Sequence, residues 1–157
     1  MRTVTLSAAI EPLERTIPRV QLGGDGDETG ACERRIGVYD DDRLICCASL
    51  YRNDGEAHAF SDATIWAGFL VIGWAERLYL VALEHLVIVE HRLGAYFGYL
   101  YPTPGALFVT SAERVYRFSP DGTLAWRSEP VGLDGVIVHD VDVDTLEGSG
   151  EDARAQV

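Results

Sequence analysis

Asp140, Asp142, Asp144 and Glu151 have the acidic spacing of a calcium loop, with Glu151 eleven positions after Asp140. Such a loop needs a glycine at its sixth position for the sharp turn and an apolar anchor at its eighth. Thr145 and Glu147 stand there instead, and no flanking helix is evident. The pattern reads better as an alternating strand, with Val141 and Val143 turned inward and the three aspartates turned to water, so no metal ligand is assigned. His85 and His91 are six positions apart, an even offset that on one strand would place both imidazoles on one face. At about 3.3 Å per residue they would stand about 20 Å apart, too far to share a metal.

Nucleophiles fare no better. Cys46 and Cys47 are adjacent, so on a strand they point to opposite faces and cannot form a joint Cys-x-x-Cys site; buried, unreactive thiols are expected. None of the seven serines sits in a Gly-x-Ser-x-Gly elbow. All 13 basic residues are arginine. The absence of lysine removes Schiff-base chemistry, the Walker-loop and kinase phosphate-binding lysines and Ser-Lys nucleophile pairs. Gly23, Gly24, Gly26 and Gly30 miss the dinucleotide spacing, and the carboxylates among them would repel a phosphate. No catalytic residue, cofactor or metal is assigned, and the reading leans away from an enzyme. Tyr96, Phe97, Tyr99 and Tyr101 are the remaining cluster. In strand geometry Phe97, Tyr99 and Tyr101 share a face, as core packing between sheets or as a recognition stripe.

The elements that would position these residues are mostly strands. The 157 residues, 47% hydrophobic and 24% charged, match one globular domain able to bury its own core. Thr3 to Ile10 reads as an early strand, and Pro12 and Pro18 punctuate an irregular connector. Residues 23–30 read as a mobile acidic loop. Leu44 to Leu50 reads as a buried strand leading into a hairpin turn at Asn53, Asp54 and Gly55. Glu113 to Phe118, then Ser119, Pro120, Asp121 and Gly122, then Thr123 to Trp126 forms the clearest hairpin.

The chain also repeats itself. At an offset of 37 residues, Ala75, Glu76, Arg77, Leu78 and Tyr79 match Ala112, Glu113, Arg114, Val115 and Tyr116, and Leu70 to Ile72 match Leu107 to Val109. Gly135 to Val138 supplies a third apolar entry without the Glu-Arg element. Over Ala75 to Leu93 the charges also suit one amphipathic helix, but the β-branched Val81, Val87, Ile88 and Val89 favour strands. A single β-rich domain over 1–147 and a flexible tail over 148–157 are expected.

Leu107 to Val109, Arg114 to Phe118, Pro120 to Gly122 and Leu124 to Trp126 together resemble one blade of propellers of the quinoprotein-like kind. The resemblance spans about Leu70 to Val138 and implies blade hairpins. It brings no quinone site, since no matching cofactor residues are present. Closing a ring takes at least four blades of about 40 residues, so the fold expected is mainly β: tandem antiparallel hairpins in an open propeller-like or sandwich arrangement, with at most one helix. Leu133 to Glu151 also resembles the C-terminal part of small, uncharacterised bacterial proteins with such hairpins. Those continue with Trp-Asp-Pro-Pro, where Asp152, Ala153 and Arg154 stand here.

Charge bounds the partners. Asp and Glu number 25 against 13 arginines, a formal net charge of −12, which disfavours nucleic acid and anionic membranes and suits a basic protein. The odd, partly adjacent cysteines and the lack of a long apolar run point to a reducing bacterial cytoplasm and no membrane span. The first expectation is a non-enzymatic protein-binding module, in one version an immunity-type inhibitor of a basic nuclease. A small β-domain ligand binder or enzyme with a pocket between sheets is the second. The third is a self-assembling structural repeat, a homo-oligomer through open strand edges.

Overall fold

The computed structural model describes residues 2–7, 17–24, 32–132, 135–142 and 146–150. Among them every regular element is a strand. The first sheet combines β1 (Arg2–Ser7), β2 (Arg19–Leu22), β3 (Arg34–Asp40) and β4 (Arg43–Leu50) in the order β1-β3-β4-β2, with β2 parallel to β4. The second runs β5 (Ser61–Trp66), β6 (Phe69–Trp74), β7 (Arg77–Ala82), β8 (Ile88–Arg92) as an antiparallel meander. The third repeats that order with β9 (Phe97–Pro102), β10 (Leu107–Ser111), β11 (Val115–Phe118) and β12 (Leu124–Arg127). The fourth is only a hairpin, β13 (Val136–Val141) with β14 (Leu146–Gly150).

The sheets pack in chain order, and each interface has its own apolar cluster. Leu70, Ile72, Tyr79 and Val81 of the second sheet meet Ile36, Val38, Cys46 and Leu50 of the first. Val71, Leu78 and Leu80 meet Phe97, Val109, Tyr116 and Phe118 of the third. Phe108 and Val115 then meet Val136, Val141 and Leu146 of the fourth. The middle sheets are buried on both faces, which explains why β6 and β10 show no alternation of buried and exposed positions. Their outer strands β8 and β12 are largely exposed.

Local chemistry sets the turns. Asp41 and Asp42 (φ 44° and 65°) close β3 onto β4, and Ala67 with Gly68 (48° and 85°) closes β5 onto β6, the positive-φ pairs that two-residue hairpins demand. In the predicted hairpin between β11 and β12, Gly122 takes φ 84° and donates to the Ser119 carbonyl at 2.8 Å. Asp121 Oδ1 accepts from the Thr123 amide (3.0 Å) and hydroxyl (2.7 Å), and these bonds hold its carboxyl below the usual range.

The repeat is structural. Leu70 to Ile72, Leu78 and Tyr79 face the interfaces one sheet before those that Leu107 to Val109, Val115 and Tyr116 face, so Tyr79 looks back to the first sheet as Tyr116 looks back to the second. The Ala-Glu turn also ties each sheet to the next. The Ala75 carbonyl accepts from the Phe97 amide (2.7 Å) and that of Glu76 from Leu93 (2.9 Å); one repeat later Ala112 accepts from Gly135 (2.9 Å) and Glu113 from Val131 (2.8 Å).

Several expectations need correction. The likeness to quinoprotein-like propeller blades does not extend to architecture: among the described residues the sheets are four, open and unclosed, with no closed circular arrangement or curled sheet. The turn at Asn53 to Gly55 joins no hairpin; β4 and β5 belong to different sheets, and the segment is the link between them. Pro18 does not simply continue a connector but precedes β2, whose parallel pairing with β4 no local pattern announces. The preference for strands over a helix from Ala75 to Leu93, by contrast, is borne out. Residues 148–150, expected to open the tail, complete β14. Pro12, residues 25–30 of the acidic loop and residues 151–157 lie outside the described residues. Among the described residues no helix is long and apolar enough to cross a membrane.

Candidate functional site

The aromatic stripe is divided by backbone geometry. Leu100 pairs with Val109, but Phe97 pairs with Ser111, so a bulge intervenes in β9 against β10. At the bulge Thr110 Oγ1 accepts from the Tyr99 amide at 3.0 Å, in space that a side chain at position 98 would occupy; glycine stands there. Phe97 therefore enters the core between the second and third sheets, fully buried, while Tyr99 and Tyr101 turn to the other side. The expected shared face of Phe97, Tyr99 and Tyr101 does not exist, because an extra residue inverts the alternation.

What forms instead is an exposed cluster around Phe60, which the sequence reading missed. Phe60 and Tyr99 are each 44% exposed with ring centroids 5.3 Å apart; Tyr96 lies 6.3 Å from Phe60, and Tyr101 6.4 Å from Tyr99. The cluster opens into a groove of about 270 Å³ whose opposite wall is Ile137, Ser149 and Gly150 of the fourth sheet. Burial raises the Tyr101 hydroxyl above its ordinary pKa, partly offset by its bond to the Val138 backbone.

A second groove, about 280 Å³, lies on the other flank of the same hairpin, between Val115, Trp126 and Val131 on one side and Leu146 and Gly148 on the other. Its floor follows from register. Tyr101 pairs with Phe108, Phe108 with Arg117, and Arg117 with Trp126, a row crossing all four strands of the third sheet. The Arg117 guanidinium lies 6.0 Å from the Phe108 ring, and the Trp126 ring 6.5 Å from it at a T-shaped angle. Trp126 remains 43% exposed.

The other sequence candidates are dispersed. Asp140 and Asp142 are exposed as expected of an alternating strand, and Val141 packs inward; residues 143–145 and 151 are outside the described residues. Among the described residues no three His, Cys, Asp or Glu side chains converge as a metal site would require. His85 sits exposed in the turn after β7, not on a strand with His91. His91 packs its ring 4.9 Å from Phe118, and burial lowers its pKa. Cys46 lies in the core between the first two sheets, where burial, with Cys47 beside it, raises its thiol. Cys47 is raised by burial too, opposed by Arg35 and Arg19.

Two further polar groupings escaped the sequence reading. His139 Nε2 and Ser149 Oγ are 2.8 Å apart on the exposed face of the hairpin, ten residues apart in sequence. Arg77, nearly buried, donates from Nε to Glu56 Oε1 (2.7 Å) and from a terminal nitrogen to Glu90. Burial works against its charge, but the bond and attraction to Glu56, then Glu90, raise its pKa. Beside this trio burial, with the Glu90 charge, raises the Tyr79 hydroxyl well above its ordinary range. Neither groove is lined by these groups, which read as a structural ion-pair network. No protein-family model matches the chain, and no curated protein matches it.

Proposed function

We propose that this chain is a non-enzymatic protein-binding module that receives a basic partner on the surface around its fourth sheet. The observation that carries this reading is the cluster of exposed Phe60 and Tyr99 with half-buried Tyr96, opening into a groove, on a chain of net charge −12. Tyrosine is favoured at interfaces because it offers a rigid apolar ring with a polar tip, and a net negative charge attracts cationic surfaces and speeds encounter. An inhibitor that masks a cationic enzyme is one version of this role.

The ligand-binder or enzyme reading has the same groove as its support, but about 270 Å³ falls below the roughly 300–1,000 Å³ usual for small-molecule sites. The groove is also open along one side of a short hairpin, which suits a protruding side chain or loop better than an enclosed substrate.

Selection of random displayed peptides on the immobilised protein tests the reading. Arginine- or lysine-rich sequences with interspersed apolar residues should be enriched, and their affinity should fall at least about tenfold between about 50 and 500 mM salt. Phe60→Ala and Tyr99→Ala should weaken binding with little loss of stability. Enrichment of uncharged sequences, or binding indifferent to salt, overturns it.

A further inference from the structure

We infer, resting on the reading of a basic protein partner, that the Phe60 groove takes one arginine side chain of that partner, its guanidinium stacked on the aromatic rings and donating to Ser149. The rings set the shape of the site. Phe60 and Tyr99 stand 5.3 Å apart with their planes 33° apart, and Phe60 and Tyr96 stand 6.3 Å apart at 47°. A planar group sandwiched between two rings needs them about 7 Å apart, twice an ordinary carbon contact. The three rings therefore act as one platform along a wall of the groove, not as a slot. Phe60 and Tyr99, each 44% exposed, present that platform to incoming groups.

Ring chemistry selects the ligand. The face of an aromatic ring carries negative potential and attracts cations at short range, while the chain's net charge of −12 draws them from farther away. Geometry then separates the two cationic side chains. A guanidinium is flat and weakly hydrated, so it lies against a ring plane at small cost in lost water. A lysine ammonium is compact and strongly hydrated, and it has no plane to lay on a platform.

The opposite wall supplies the remaining contacts. Ile137 and Ser149 are register partners, so their side chains sit next to each other on the side of the hairpin that lines this groove. Ile137, 58% exposed, offers apolar surface to the three methylenes of an arginine stem. Ser149 Oγ lies 2.8 Å from His139 Nε2, which fixes the hydroxyl in place. Whichever of the two donates, the hydroxyl oxygen keeps a lone pair that can accept from a guanidinium N–H. Ser111 Oγ also lines the groove, but it accepts from the amides of Glu113 (3.3 Å) and Arg114 (3.1 Å) in its own turn. Ser149 is thus the acceptor suited to the ligand.

The test uses the full chain and a capped pentapeptide whose central arginine is flanked by serine and glycine, with versions carrying lysine, trimethyllysine or citrulline in its place. In an NMR titration the arginine peptide should shift the Phe60 and Tyr99 ring signals saturably, with a dissociation constant on the order of 1 mM. The lysine peptide should bind at least about fivefold more weakly, and citrulline, matched in shape but uncharged, should not bind measurably. Phe60→Ala should remove binding, while Tyr99→Phe should retain it, because the ring face and not the hydroxyl makes the contact. Ser149→Ala, at an exposed position, should weaken the arginine peptide about tenfold and leave the trimethyllysine peptide, which has no side-chain N–H, unchanged. No saturable shift, equal binding of lysine or citrulline, tighter binding of trimethyllysine, or indifference to Ser149→Ala overturns the inference. Any of these together with salt-sensitive, Phe60-dependent binding of selected lysine-rich peptides leaves the broader reading standing. Nuclear Overhauser contacts in the free protein between these rings and residues 151–157 assign the groove to the chain itself and overturn the inference, as does self-association abolished by Phe60→Ala.

Discussion

Between the second and third sheets, Phe97 is fully buried and its ring fills the space where a side chain at position 73 would stand, so glycine is required there. Between the third and fourth sheets the comparable surface carries Trp126 at 43% exposure and a groove on each flank. Both junctions begin with the same Ala-Glu turn and the same pair of backbone bonds. Among the described residues the difference lies in strand number: four strands cover one face and two strands cover the other. Docking a sheet is therefore set by the turn, while sealing the interface is set by how many strands follow.

The largest effect should come from breaking the sealed junction. Phe97→Ala should cost about 3–5 kcal/mol by urea unfolding, because the cavity lies where neighbours on both sheets are fixed. Next, Arg77→Ala should cost about 2–3 kcal/mol by the same measurement, since it strands Glu56 in buried surroundings; the exposure of Glu90 keeps the loss below that of a fully buried pair. At the open junction Leu146→Ala should cost only about 1 kcal/mol, because its side chain is only partly buried. Amide exchange should show the β13–β14 hairpin opening without global unfolding, unlike β6 and β10.

A pH titration probes the sealed junction most finely. Burial lowers the His91 pKa against Phe118, so the unfolded chain binds the proton more readily than the folded one. Stability of the sealed junction should fall as pH drops below the ordinary histidine value of about 6.5, and His91→Gln should flatten that part of the profile in thermal melts.

Much of this architecture was legible in composition and spacing. The 37-residue match located the Ala-Glu turns, because those residues are held by backbone geometry common to both sheets, and Pro120, Asp121 and Gly122 wrote their turn directly into the sequence. Long-range and inverted features were not legible. The parallel pairing of β2 with β4 leaves no local trace, and Asp41-Asp42 makes a two-residue hairpin without the usual glycine. The bulge in β9 could have been suspected from Gly98 beside the aromatic residues, but its effect on which face Tyr99 takes required the register with β10. Phe60 lies in a connector, where no periodicity marks it, so the main aromatic cluster became visible only once β9 was placed beside it.

Joining successive sheets through main-chain carbonyls rather than through particular side chains has an evolutionary corollary. A duplicated unit finds its docking bonds already supplied by the turn before it, whatever residues that turn has since acquired. Copying and divergence can then proceed independently, with each new face free to specialise while its attachment is inherited intact.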